Sequence, residues 1–234
     1  FYFYFNFLHY FYNLIIFSMI HFKKVLFEFN NGNGIKNTTF NIESGEYVCI
    51  IGPTGAGKTT LLKLIYMDIF PQKGEIIVDQ YNSKKIKNKD IAHLRRKVGM
   101  VFQNSQLLSD RSVFENIAIP LHIQGVGLKY IKSEVNEVLL KLGIEDKKNH
   151  FPNQLSGGEK QIISLARELV KNPIVILADE PTGNLDPASS LKVLRMLEEI
   201  NSEGTAVLMA THNFTLVEDR GYQFMQIKDG EVTL

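Results

Sequence analysis

Residues 52–59, GPTGAGKT, have the spacing of a loop that binds phosphate groups. The apolar run 47–51 comes directly before the loop and the helix-forming stretch TTLLKLIY overlaps its end, which is the strand–loop–helix context that this spacing requires. The glycines let backbone N–H groups point at phosphate oxygens, and the new helix adds the positive end of its dipole. The predicted ligand-binding residues of the loop are Gly52, Pro53, Thr54, Gly55, Ala56, Gly57, Lys58, Thr59 and Thr60.

Two side chains of the loop have specific roles in this pattern. The Lys58 ammonium reaches the β- and γ-phosphates of a nucleotide, and the Thr59 hydroxyl binds Mg²⁺. A glycine-rich turn with a chance lysine is the structural alternative, but the flanking strand and helix argue against it. The loop alone does not choose among kinases, GTPases and ATPases.

Two acidic residues follow the apolar run 174–178, at the tip of a predicted buried strand. Asp179 is placed to hold Mg²⁺ directly or through water, and Glu180 is placed to direct the water that attacks a γ-phosphate. Such a general base contributes about 10²- to 10⁴-fold to the rate, and positioning and electrostatics supply most of the rest. An acidic turn before Pro181 would explain either residue alone. Together with the phosphate loop, the pair predicts hydrolysis.

A second candidate anion site lies at 155–161, LSGGEKQ, before another helical run. Ser156 is a candidate N-cap, and Gly157 and Gly158 expose backbone N–H groups at the helix start. An ordinary capped helix is the structural alternative. Because the chain has one phosphate loop and one acidic pair, the separate half-site predicts a complete site at an interface between two subunits.

The elements that position these residues are predicted by the apolar pattern. Four runs rich in β-branched residues are typical of strands covered on both faces, namely 47–51, 98–102, 174–178 and 206–210. Helical stretches separate them, as after Asp186-Pro187, where an N-cap and a first-turn proline precede leucines at helical spacing. This alternation of strands and helices predicts an α/β fold.

Two regions depart from that alternation. Residues 20–46 alternate in polarity and contain the turn NNGNG, which suggests antiparallel strands. Residues 104–154 have helical periodicity and indicate a helical insertion, whose subdomain we place at about 104–160. We therefore expect a mixed-sheet core with an antiparallel β subdomain and a helical insertion subdomain.

The composition restricts the partners and the domain boundaries. A net charge of +1 over 234 residues gives no general attraction to nucleic acid, so no nucleic-acid partner is expected. Cys49, the one cysteine, lies in an apolar run and predicts a buried thiol in a reducing compartment. Residues 1–18 are rich in aromatics, lack Lys and Arg, and fit neither a membrane-spanning helix nor a signal peptide. We expect Met19 to be the native start and the domain to span 19–234; a short membrane-touching segment is the alternative.

In chain order, GPTGAGKT, LSGGEKQ, IVILADE, Asn184-Leu185-Asp186 and Thr211-His212 resemble the motifs of nucleotide-binding subunits of ABC (ATP-binding cassette) systems. The resemblance covers residues 19–234 and implies the P-loop NTPase fold of ABC ATPases, with ATP and Mg²⁺ as ligands. It also implies a head-to-tail homodimer, with each ATP between the phosphate loop of one subunit and the LSGGE segment of the other. An integral membrane subunit is the implied partner, which places the chain peripherally on the cytoplasmic face of the inner (plasma) membrane.

The resemblance assigns roles to four further residues. Gln103 in VFQN contacts Mg²⁺ or water and senses the membrane partner, Asp186 communicates across the dimer, and His212 contacts the γ-phosphate. Phe29 falls where the family usually has a tyrosine stacked on adenine, and it keeps the aromatic face. Without the resemblance, Gln103 and His212 would be ordinary polar residues after strands.

Within the family, residues 107–121, LLSDRSVFENIAIPL, are most similar to the ATP-binding proteins of cell division. That similarity implies an FtsX-like membrane partner and a mechanical signal to cell-wall hydrolysis. Lipoprotein-release and macrolide-export ATPases share PTGNLD, so an exporter subunit with a larger permease is the alternative. Ile162 departs from the family, whose members commonly have arginine there, and a local polar contact is therefore not expected.

Two other functional classes predict features that this sequence does not have. An ABC ATPase acting on nucleic acid or ribosomes would have tandem cassettes, coiled-coil arms or a basic face. A non-catalytic scaffold would have lost Glu180 or His212, and the chain has both.

Overall fold

The computed structural model describes residues 18–30 and 32–233. The expectation for the N-terminal leader lies outside these residues, except for Ser18, which begins the first strand. The strands are β1 Ser18–Glu28, β2 Gly34–Glu43, β3 Tyr47–Ile51, β4 Lys73–Val78, β5 Tyr81–Asn82, β6 Val98–Val101, β7 Val175–Asp179, β8 Ala206–Thr211, β9 Gln223–Lys228 and β10 Glu231–Thr233. The α-helices are α1 Lys58–Ile65, α2 Asn88–Lys97, α3 Val113–Ile123, α4 Leu128–Lys141, α5 Gly157–Leu169 and α6 Pro187–Ser202.

A six-stranded sheet in the order β10-β9-β3-β8-β7-β6 forms the centre of the fold. Strands β9, β3, β8, β7 and β6 run parallel, and β10 pairs antiparallel with β9 at one edge. The four predicted apolar strands are confirmed as β3, β6, β7 and β8. Strand β7 lies one residue further along than predicted, because Asp179 pairs with Ala210 and continues the ladder past the apolar run. Parallel strands end at the same edge, so the residues after β3, β7 and β8 are brought together.

A four-stranded antiparallel sheet, β2-β1-β4-β5, confirms the antiparallel strands predicted for 20–46. The backbone N–H of Lys36 in β2 donates to the Gly230 carbonyl between β9 and β10, over 2.8 Å, and so links the two sheets. The Gly34 carbonyl oxygen at the start of β2 lies 3.1 Å from where a Cβ on Gly57 would be. The small sheet therefore packs its first turn against the phosphate loop.

Apolar side chains cover both faces of the six-stranded sheet. In β3, Tyr47 and Cys49 face a cluster with α3, α4, α5 and α6, whereas Val48 and Ile50 face a cluster with α1, α2 and the antiparallel sheet. This explains the continuous apolar run, since both sides of the strand are buried. Cys49 is the buried thiol that was predicted, and burial raises its pKa to about 12.

Helices follow β6, in the region predicted as a helical insertion. All residues of 104–154 are described, and they form α3, α4 and two short 3₁₀ turns without a strand. In α4, Ile131, Val135 and Leu139 are buried at helical spacing, which confirms the predicted periodicity. Within the described ranges of the chain, the helices are too short or too polar for one to cross a membrane.

Candidate functional site

The loop between β3 and α1 forms a cradle because two of its glycines stand where a side chain does not fit. A Cβ on Gly52 would lie 2.2 Å from the Ile227 carbonyl oxygen. Gly57 is the N-cap of α1 and has a φ of 115°, in the region that favours glycine. The loop thus closes onto the helix N-terminus, whose first N–H groups have no partner within the helix. This arrangement binds anions.

Lys58, the first residue of α1, is 6% exposed and is held above the loop. Its Nζ donates to the carbonyl oxygens of Gly52 at 2.7 Å and Pro53 at 3.1 Å. The same Nζ lies 3.4 Å from Glu180 Oε1. The ammonium is therefore a positioned point charge that can move from these oxygens to those of a phosphate.

Thr59 and Asp179 bring two oxygen ligands together from α1 and β7. The Thr59 hydroxyl donates to Asp179 Oδ1 over 3.0 Å. Burial raises the pKa of Asp179 above its usual value, and the hydrogen bond from Thr59 opposes this shift. A cation beside this carboxylate would offset the unfavourable desolvation of its charge.

Glu180 adopts a strained backbone conformation directly after β7, with a φ of 48°. For a residue other than glycine this costs about 1–3 kcal/mol. Its N–H donates to the Ala210 carbonyl at 2.9 Å, and its carbonyl accepts from Gly183 N–H at 3.1 Å. Strand pairing on one side and a tight turn on the other impose the conformation. The carboxylate turns toward His212, whose Nδ1 lies 2.9 Å from Glu180 Oε2.

Lys58, Thr59, Glu180 and His212 line one cleft of about 470 Å³, whereas the predicted residues Gly52, Pro53, Ala56 and Asp179 are not among its lining residues. Gln103 lies at its edge, with Nε2 3.5 Å from Asn184 Oδ1. Phe29 presents a ring that is 45% exposed and contacts Phe27 edge-on. The predicted site residues that line the cleft are Phe29, Thr54, Gly55, Gly57, Lys58, Thr59, Thr60, Gln103, Glu180 and His212.

The cleft has two lining residues that sequence reasoning missed, Asn33 and Gly34. Both belong to the turn NNGNG, which the sequence marks as a turn between strands. Its small and polar residues were the available signal. The sequence does not fix which element that turn faces, because the packing of the small sheet against the phosphate loop decides it.

The segment Ser156–Gly158 lies outside this cleft and caps α5. The Ser156 hydroxyl accepts from Glu159 N–H at 3.2 Å, and Glu159 Oε2 accepts from Ser156 N–H at 2.8 Å. The two bonds form a reciprocal capping box. Ser156 and Gly157 are exposed. These two residues therefore lie on the surface, outside the cleft that the phosphate loop of their own chain lines.

Asp186 also lies outside the cleft and caps α6. Its Oδ1 accepts from Ser189 N–H at 3.0 Å, and hydrogen bonds from Ser189 lower the pKa of the carboxyl. Its neighbour Leu185 packs beside Gly157, 3.4 Å from where a Cβ would be. Ile162, the departure from the family pattern, is 2% exposed and packs in the apolar cluster.

The sequence profile of the family described as "ABC transporter" matches residues 35–183, more than half of the chain. The chain belongs to the ABC transporter family. This ABC subunit is 46% identical over 216 residues to the cell division ATP-binding protein FtsE of Bacillus subtilis (strain 168), covering 91% of the chain and 93% of that protein. It is 44% identical over 215 residues to FtsE of Escherichia coli (strain K12), covering 92% of the chain and 97% of that protein.

Among solved structures, the ABC subunit is similar to the ATP-binding cassette MJ0796, a dimer bound to ADP and Pi in a post-hydrolysis state. The TM-score is 0.82 at 33% identity, over 92% of this chain and 97% of that one. These likenesses confirm the predicted ABC ATPase fold. The chain is an ATP-binding subunit and ATPase of the ABC type, and it is similar to FtsE proteins over at least 91% of its length.

Proposed function

We propose that this ABC subunit hydrolyses Mg-ATP in the cleft with Glu180 as general base and drives an FtsX-like membrane partner in cell division. The position of Glu180 carries the proposal. Its carboxylate lies between Lys58 Nζ, 3.4 Å from Oε1, and His212 Nδ1, 2.9 Å from Oε2. A phosphate-binding cation, a base and an orienting imidazole thus converge where a γ-phosphate would enter.

Nucleotide binding rests on exchange of partners at Lys58. The ammonium would leave the Gly52 and Pro53 carbonyls and Glu180 for phosphate oxygens, and the backbone N–H groups of 52–60 would bind the same phosphates. Phe29 would stack on the adenine. The exchange also releases Glu180 Oε1 from its ion pair.

The residues around Thr59 and Asp179 fit Mg²⁺. A hydroxyl and a carboxylate oxygen 3.0 Å apart are ligands of the kind that Mg²⁺ takes, and the desolvated Asp179 carboxylate favours a cation beside it. Thr59 and Asp179 would hold the ion, with Gln103 as the third candidate ligand. When bound, Mg²⁺ neutralises negative charge on the phosphate oxygens.

The chemical step uses the free oxygen of Glu180. His212 fixes Oε2, so Oε1 is left to accept a proton from the attacking water. The water oxygen forms a bond to the γ-phosphorus while the bond from that phosphorus to the β–γ bridging oxygen breaks, which gives ADP and phosphate. His212 and Gln103 orient the reacting groups.

The second half-site supports a head-to-tail homodimer. Ser156, Gly157, Gly158 and Asp186 lie outside the cleft of their own chain. We assign Ser156–Gly158 to the γ-phosphate bound by the other subunit, and Asp186 to communication between subunits. The dimeric MJ0796 cassette provides a related example of such an assembly.

The membrane task is proposed from the relatives. FtsE proteins align with almost the whole chain, and we place this subunit at the cytoplasmic face of the inner (plasma) membrane, with residues 104–160 as the helical subdomain that meets the partner. The nucleotide-binding domain would span 19–234. A permease of an exporter is the competing partner.

One experiment tests the chemistry with two variants and two matched controls. Glu180→Gln should retain ATP binding, trap a dimer and lose turnover by about 10²-fold or more. Lys58→Ala should lose nucleotide binding. The exposed residues Glu199 and Lys129 supply the controls Glu199→Gln and Lys129→Ala, which should behave as the wild type. Unchanged turnover in Glu180→Gln, or retained affinity in Lys58→Ala, would contradict the assignments.

A second experiment tests the partner. The chain is crosslinked in membranes of its source cell, and the attached membrane protein is identified by mass spectrometry. A small four-helix protein supports the cell-division role. Identification of a larger permease would indicate export instead of cell division, and the proposed chemistry of the site would be unaffected.

A further inference from the structure

Helix α5 holds the segment that carries Gln103 at two points. Gln161 Nε2 donates to the Phe102 carbonyl at 2.9 Å. Arg167 donates to the carbonyls of Gln106 at 2.8 Å and Ser105 at 3.1 Å. Residues 102–108 have neither helix nor strand. Side chains from α5 therefore supply partners that regular structure would otherwise provide.

Both side chains are shielded from water. Gln161 is 3% exposed, and the Arg167 side chain is 12% exposed. A hydrogen bond from such a side chain is costly to break, because the shielded donor left behind has little water to replace its partner. The contacts therefore act as fixed points.

The far end of the segment is fixed to α3. Asn116, which is fully buried, donates from Nδ2 to the Leu108 carbonyl at 3.1 Å and accepts from Leu108 N–H at 2.8 Å. Gln103 lies between the fixed points, exposed at the cleft edge. Its position thus depends on where α5 and α3 hold the backbone on either side.

The other end of α5 carries Ser156–Gly158, which lie outside the cleft of their own chain. Gln161 follows Ser156 by five residues, a rise of about 7.5 Å along the helix. The helix thus joins the half-site proposed for one nucleotide to the glutamine that lines the cleft of the other.

We propose that Gln161 is a positioning residue that couples the two nucleotide sites through α5, with Arg167 as its second contact. When the Ser156–Gly158 end of α5 moves against a partner's nucleotide, Gln161 carries the Phe102 carbonyl with it and shifts Gln103 in its own cleft. The inference rests on the proposed function, because it assumes hydrolysis in a head-to-tail dimer.

The first test compares Gln161→Leu with Ser164→Ala. Ser164 is buried in the same helix, and its hydroxyl makes no hydrogen bond among the described residues, so its removal breaks no contact. Gln161→Leu should lower kcat about tenfold with little change in the KM for ATP, while Ser164→Ala keeps both constants. Arg167→Lys, which keeps the charge but loses the fork, should change kcat in the same direction by less.

The second test asks whether Gln161 acts through Gln103. If it does, Gln103→Ala and the double variant with Gln161→Leu should have the same kcat, because the glutamine that Gln161 positions is already absent. If the fold-loss in kcat of the double variant equals the product of the losses in the two single variants, Gln161 has a general structural role and the proposal is overturned.

A third measurement separates this inference from the proposed function, because it needs no turnover. Hydrogen exchange of the amides at 102–108 should accelerate in Gln161→Leu and stay unchanged in Ser164→Ala. Unchanged exchange in Gln161→Leu would show that Gln161 does not hold the segment 102–108, even if the enzyme hydrolyses ATP. Absence of turnover in the wild type, with accelerated exchange in the variant, would refute the proposed function and the coupling but keep the contact.

Discussion

The imidazole Nδ1 of His212 lies 2.9 Å from Glu180 Oε2, and the backbone N–H of His212 donates to the same oxygen over 3.2 Å. Each residue comes directly after its strand, Glu180 after β7 and His212 after β8, and these strands are parallel neighbours. One carboxylate oxygen is thereby held from two directions. The other is left with a defined orientation toward the phosphate loop.

We expect His212→Ala to lower kcat by about 10²-fold, because Glu180 loses the side-chain contact that orients it. ATP affinity should change little, since Lys58 and the loop N–H groups remain. Steady-state hydrolysis and nucleotide titration measure the two effects. The control is His93→Ala, at an exposed histidine of α2. Equal kcat values in the two variants would contradict the role of His212.

Asp179→Asn should make the protein more heat-stable at neutral pH while ATP hydrolysis is lost. Burial raises the folded-state pKa of Asp179 above 3.8, so the folded protein disfavours its carboxylate. The stability from this group is fully present below its unfolded pKa and is lost as the pH rises through the raised pKa. Thermal unfolding without nucleotide or Mg²⁺ should show a higher Tm for the variant at neutral pH, and the difference should disappear in acid.

Asp186→Asn provides the matched comparison with the opposite sign. Hydrogen bonds from Ser189 lower the folded-state pKa of Asp186 below 3.8. The stability from this carboxylate is present above the unfolded pKa and is lost as the pH falls through the lowered pKa. The variant should therefore have a lower Tm than the wild type at neutral pH. Shifts of the same sign in Asp179→Asn and Asp186→Asn would show that environment does not distinguish these aspartates.

Phe29→Ala should weaken ATP binding about tenfold or more, because a stacked base is worth about 1–3 kcal/mol. Phe29→Tyr should bind as well as the wild type, since the aromatic face is retained. The ring is 45% exposed, so the fold should tolerate both changes. Titration with a fluorescent adenine nucleotide measures the affinities. Equal affinity of the alanine variant would exclude stacking on Phe29.

Gly158→Ala should destabilise the fold by about 1–3 kcal/mol through overpacking. The new Cβ would lie 2.7 Å from Ser189 Oγ and 2.8 Å from Ser189 Cβ, which joins the start of α5 to the start of α6. Gly157→Ala is the control, since the nearest atom there is Leu185 Cδ2 at 3.4 Å. Urea unfolding should separate the two variants. If the urea midpoint of Gly158→Ala equals that of Gly157→Ala, the starts of α5 and α6 move apart enough to accommodate the new Cβ.

Local chemistry was readable from the sequence because it depends on neighbours along the chain. The loop from Gly52 to Thr59 needs a strand before it, glycines within it and a helix after it. Adjacent residues of the sequence predict all three features. The N-caps Ser156 and Asp186 were predicted for the same reason, since each bonds a backbone N–H three residues ahead. The apolar runs predicted the strands because a parallel strand buries both faces.

Tertiary structure alone decided which of these pieces meet. Glu180 and His212 are 32 positions apart and share a hydrogen bond because β7 pairs with β8. Asn33 and Gly34 entered the cleft because the small sheet packs against the phosphate loop, and Gln161 reached Phe102 because α5 lies beside the end of β6. The sequence by itself determined the phosphate loop, the acidic pair and the capped half-site. Strand order and helix packing, which rest on contacts between distant segments, decided that the phosphate loop and Glu180 share a cleft while the capped half-site lies outside it.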